Sequence, residues 1–67
     1  SIVKDLDDND ILAHRFNAIA GVYFRKKEYE TAISFYKKSK GLFEELGQER
    51  SVQTLEKNIQ NVRDKMN

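Results

Sequence analysis

The sequence contains no proline and no cysteine, and only three glycines in 67 residues. Without proline, no position forbids an α-helix outright, and three glycines are too few for the tight turns of a β-hairpin protein. The missing cysteines remove both disulfide staples and thiolate metal sites. A single histidine excludes a multi-histidine metal centre. Charge of one sign is also lacking: twelve Lys and Arg stand against eleven Asp and Glu, for a net charge of +1. A nucleic-acid-binding arm carries a basic excess, so direct nucleic-acid binding is not expected. No apolar run reaches the roughly 18 residues of a transmembrane helix, and no signal-peptide core is present. The expectation is no membrane partner and a cytoplasmic location, which the missing cysteines also fit.

What is present is a helix-former composition, with eight Lys, six Glu, five Leu and four Ala. A domain of this size buries only roughly 60% of its unfolded surface. It must rely on good helix packing, on oligomerisation or on attachment to something larger.

Three helical patterns follow one another. Ile2, Val3 and Leu6 have helical spacing, and Asp7-Asp8-Asn9-Asp10 then favours turn and cap conformations, so residues 1–8 are expected to be the end of a preceding helix and a loop. The next helix should run from about Asn9 or Asp10 to Lys27. Leu12, Phe16, Ile19, Ala20, Tyr23 and Phe24 mark one apolar face, and Ile11, Ala18 and Val22 form a smaller strip opposite. A helix apolar on two sides is packed on two sides. Lys26-Lys27-Glu28 is a polar connection. The following helix should span Tyr29 to Leu46, with Tyr29, Ala32, Ile33, Phe35, Tyr36, Ser39, Leu42, Phe43 and Leu46 on its apolar side. Gly41 inside it suggests close packing or a bend, and Gly47 suits a left-handed helix terminus. The last helix, within residues 48–66, places Val52, Leu55, Ile59, Val62 and Met66 at spacings of 3, 4, 3 and 4. So narrow a seam docks on one neighbour, the mark of a helix that closes a stack. Left free, the same seam would make a capping and dimerisation element.

Phe16, Ile19, Ala20 and Tyr23, followed by Tyr29, Ala32, Tyr36 and Ser39, carry a resemblance to the tetratricopeptide repeat, a helix-turn-helix unit of about 34 residues. Phe16 stands where the family has an early Trp, Ala20 where Gly is usual, and no Pro follows the second helix. The run to Leu46-Gly47 resembles the longer-repeat type found in peptide-sensing regulators of Gram-positive bacteria and in some scaffold proteins. The resemblance covers about two thirds of the chain. It implies an all-α fold of antiparallel helix pairs in a right-handed superhelical array, here one repeat (9–46) plus a capping helix, cut from a longer array. Its implied partners are a peptide or protein ligand, or upstream repeats of the same chain. A homodimer is the alternative cover for the Ile11, Ala18 and Val22 strip.

No residue set points to an enzyme, a cofactor or a metal. His14 has Asp10 one turn earlier but no nucleophile in a recognisable motif, and surface placement is expected. The Asp7–Asp10 run lacks the glycine and distal glutamate of a calcium loop. The resemblance places ligand peptides on the first-helix surface, which here would include His14, Asn17, Ala18, Gly21 and Arg25. Asn17 suits hydrogen bonding to a peptide backbone, Gly21 allows its approach, and Arg25 suits a carboxylate. Gly21 stands where chaperone-tail binders need Asn, so that recognition is not expected. The implied function is a peptide- or protein-binding module of a regulatory or scaffold protein, with a peptide-controlled transcription regulator as one form. The alternative is a purely structural capping element.

Overall fold

The computed structural model describes residues 2–67, with side chains from Asp8 onward. The described residues form three helices: α1, Ile2–Arg25; α2, Tyr29–Glu45; and α3, Glu49–Met66. The fold is all-α. Together the helices make a slab of 43 × 19 × 12 Å with α2 in the middle, packed on α1 and on α3. The expected apolar spacing of Ile2, Val3 and Leu6 involves side chains outside the described residues.

The expected interruption at Asp7–Asp10 does not occur, and α1 runs through it unbroken. Asp and Asn prefer caps, but each costs less than about 0.7 kcal/mol inside a helix. No Gly or Pro stands nearby to turn that weak bias into a stop. The other helix bounds fall within two residues of expectation.

Both connections have one geometry. After α1, the Lys27 N–H donates to the Phe24 carbonyl at 3.0 Å and the Glu28 N–H to the Tyr23 carbonyl at 2.9 Å. After α2, the Gly47 N–H donates to Glu44 at 3.1 Å and the Gln48 N–H to Phe43 at 3.0 Å. These are paired 6→1 and 5→2 bonds around a left-handed residue, the Schellman arrangement. Gly47 takes φ +72° as its position suggested, but the matching residue of the first turn is Lys27, at φ +65°. The side chain of Lys27 makes that conformation costly, and no glycine in the sequence announced it.

Small residues set the α1–α2 contact. Ala13, Ala20, Ala32 and Ser39 are all fully buried. The Ser39 hydroxyl donates to the Ala13 carbonyl at 2.7 Å. In an antiparallel pair that bond puts Ala20 opposite Ala32, so each crossing layer is small on small. Leu12 and Ile19, expected to face α2, are instead 40% and 38% exposed. Backbones approach most closely along the alanines, which turns the bulkier positions to the flank. There Phe16 and Tyr23 meet Phe35, with Tyr23 and Phe35 stacked at 5.7 Å. The Lys38 ammonium lies 5.1 Å from the Phe35 ring centre and 5.7 Å from that of Phe16, so this basic group covers aromatics as well as facing water.

The α3 seam is occupied. Leu55, Ile59 and Val62 are buried with Phe43 in one core, Val52 is half-buried, and Met66 is exposed. This removes the free seam on which dimerisation through α3 would depend. Lys40 pairs with Glu56 at 3.3 Å along the same contact.

Ile59→Asp should therefore unfold the chain. The unpaired charge in the core costs about 3–5 kcal/mol and the lost Ile59 packing about 2–5 kcal/mol more, together enough to exhaust a total stability of about 0.1 kcal/mol per residue. Loss of the helical circular dichroism at 25 °C checks this; a folded variant would mean that the seam is not packed. Close packing does not account for Gly41, because a Cβ there would touch nothing within 4 Å. Gly41→Ala and Lys27→Gly should each raise stability by about 0.5–1 kcal/mol, read from urea denaturation midpoints.

Candidate functional site

The α1–α3 relationship creates the site. Each helix is antiparallel to α2, so α1 and α3 run parallel on either side of it. Two long hydrogen bonds span the gap, Gln48 to Asp10 and Asn58 to Asn17, both at 3.4 Å, between residues 38 and 41 apart in sequence. Between the two helices lies a groove of about 160 Å³. His14 and Asn17 line it from α1, Arg50, Ser51 and Thr54 from α3, and Phe43 and Leu55 form its apolar floor.

The five candidate residues separate in the structure. His14, Asn17, Gly21 and Arg25 follow one stripe along α1 at helical spacing. His14 and Asn17 line the groove directly. The His14 side chain is 63% exposed, with Nε2 3.6 Å from the Asp10 carboxylate. Its ring meets Phe43 edge-on at 5.1 Å, which fixes the imidazole against the groove floor. Asn17 is half-buried and accepts from the Asn58 amide. An amide engaged in one such bond keeps further donors and an acceptor for a ligand. Gly21 continues the stripe beyond the groove. A Cβ there would meet the Tyr36 hydroxyl at 3.9 Å, an ordinary contact, so the space at this position does not demand glycine. Ala18 is exposed at the outer edge of the stripe and does not line the groove. Arg25 is also exposed and outside the groove lining, but its charge reaches Tyr36.

The fold perturbs the Tyr36 phenol. It is 7% exposed. Burial pushes its hydroxyl above the ordinary tyrosine value, and the nearby Arg25 charge pulls it part of the way back. Among the described residues, no three His, Cys, Asp or Glu side chains gather as metal ligands would, and no helix is long and apolar enough to cross a membrane.

Arg50, Ser51, Thr54 and Asn58 are absent from the sequence-based site. A signal for them exists: Ser51, Thr54 and Asn58 each precede a seam residue, Val52, Leu55 or Ile59, and so form a stripe beside the buried seam. Which side of the seam faces α1 is decided by the second turn, and periodicity does not contain it.

No protein-family model matches the chain, and neither a curated protein nor a solved structure matches it significantly. The tetratricopeptide resemblance therefore rests on the motif residues themselves.

Because folding raises the Tyr36 pKa, its contribution is fully present below the ordinary tyrosine value of about 10 and is lost as pH climbs through the raised value. Urea midpoints measured from pH 8 to beyond the tyrosine range should fall at the alkaline end, and Tyr36→Phe should fall less steeply. Parallel curves would show that burial of this hydroxyl carries no such linkage.

Proposed function

We propose that the chain is a non-catalytic helical-repeat module of the tetratricopeptide type that binds a peptide or protein segment in the groove between α1 and α3. The module would serve a regulatory or scaffold protein. The observation that carries this reading is the groove itself. It has an apolar floor of Phe43 and Leu55 and walls carrying amide, hydroxyl, imidazole and guanidinium groups. That combination suits an extended peptide. The floor takes an apolar side chain, and Asn17, Ser51 and Thr54 offer hydrogen bonds to its backbone. The Arg50 guanidinium favours an acidic or neutral ligand over a basic one.

The motif supports the same reading. Small residues at Ala20, Ala32 and Ser39 and bulky ones at Phe16, Tyr23 and Tyr36 stand where a tetratricopeptide unit has them. Two parallel helices separated by an antiparallel one, with identical connections, also agree with a repeated helix-turn unit.

Peptides selected from a random library displayed on phage test the proposal. Those that bind the chain should lose affinity by about tenfold or more with Asn17→Ala and with Arg50→Glu, measured by fluorescence anisotropy. Variants on the opposite face of α1 should bind as the parent does. A library that yields no binder, or binders indifferent to both groove substitutions, would overturn it.

A further inference from the structure

The side of α1 turned away from α2 holds a second pattern. Asp8, Leu12, Arg15, Ile19, Val22 and Lys26 are all exposed, and they follow one another at spacings of 4, 3, 4, 3 and 4. That is the alternation of a coiled-coil seam, about 27 Å long at the helical rise. Its three aliphatic members are 38–45% exposed, and Ile11, 50% exposed, flanks them. The seam carries opposite charges at its two ends and aliphatic residues one step in from each. Set antiparallel to itself, it pairs Asp8 with Lys26, Leu12 with Val22 and Arg15 with Ile19. Acid meets base at both ends, apolar side chains meet in the next layer in from each end, and the two central layers set Arg15 against Ile19.

We propose that this face of α1 is an isologous dimer surface whose occupant is the α1 of a second copy, running antiparallel across a two-fold axis. Charge complementarity is the argument for that occupant. A two-fold axis places each surface patch against itself, so a patch can close on its copy only if it is self-complementary. In its Asp8–Lys26 and Leu12–Val22 layers this seam is, and the antiparallel sense also sets the helix macrodipoles in their favourable orientation. Arg15 is the one member at odds with the rest. Two copies of it lie near the axis, and each must run its aliphatic stem over Ile19 of the partner subunit while its guanidinium reaches water. The interface is thereby held to modest strength, with a Kd on the order of 10–100 μM as befits a small contact. The groove between α1 and α3 lies on another side of the helix and stays open in the dimer.

Sedimentation equilibrium of the chain across a concentration series checks the proposal. A monomer–dimer equilibrium is expected. Val22→Asp should give a monomer with unchanged helical circular dichroism, because Val22 contributes nothing to the core. Arg15→Leu should tighten the dimer by about tenfold. Asp8→Lys and Lys26→Asp should each weaken it about five- to tenfold at low salt, and the double exchange should restore it. A chain that stays monomeric at about 1 mM would overturn the proposal. So would a dimer indifferent to Val22→Asp, or a double exchange no better than either single one. These readouts are independent of peptide binding, so failure here leaves the groove's assignment where it stood.

Discussion

The Ser39 hydroxyl bound to the Ala13 carbonyl at 2.7 Å is the contact on which the remaining geometry depends. It forms because both residues are small. Only there can two helix backbones come close enough for a β-carbon hydroxyl to reach the neighbouring main chain. The bond contributes only about 1 kcal/mol net. Its larger effect is on register, because a hydroxyl buried without its partner would cost about 1–3 kcal/mol. With Ser39 opposite Ala13, Ala20 falls opposite Ala32, and the aromatics are displaced to the flank, where Tyr23 stacks on Phe35 and Phe16 meets the same ring at a tilt.

The two connections then carry that register through the molecule. Each reverses the chain around a single left-handed residue and closes two carbonyls of the helix it ends. Because Lys27 and Gly47 do the same work 20 residues apart, α3 returns parallel to α1. The seam Leu55, Ile59 and Val62 locks α3 onto α2 and brings the Ser51, Thr54 and Asn58 stripe to face His14 and Asn17. The groove is thus a consequence of two turns and one seam, and its apolar floor is the core residue Phe43 seen from outside.

Polar and apolar surfaces are distributed unevenly over the three helices. α3 buries one narrow seam and shows water a polar face. α1 buries its alanines, offers polar groups to the groove, and still exposes Leu12, Ile19 and Val22. A chain of this size gives up stability by leaving aliphatic side chains in water, roughly 25 cal/mol for each Å² left unburied. Most of that cost falls on α1, with Met66 at the end of α3 as the exception, so the candidate surface for a partner is α1.

Much was legible in the sequence alone. Absence of proline and the helix-former composition fixed an all-α chain, and periods of three and four residues located α2 and α3 almost to the residue. Gly47 announced its own conformation, since only glycine adopts it without strain. Local rules also misled in three places. Asp7–Asp10 did not stop α1, because a weak preference yields to a helix with nothing to break it. Gly41 meets no close neighbour, and Lys27 took a glycine's role with no glycine present. What only the tertiary structure decided was orientation: which edge of α1 meets α2, and which side of the α3 seam faces α1. Periodicity defines a face but not its neighbour. The neighbour is chosen by where backbones can approach, at Ala13 and Ala20, and by the turns that direct each helix back onto the last. Arg50, Ser51 and Thr54 enter the site for that reason, and Ala18 and Arg25 lie outside the groove for the same one.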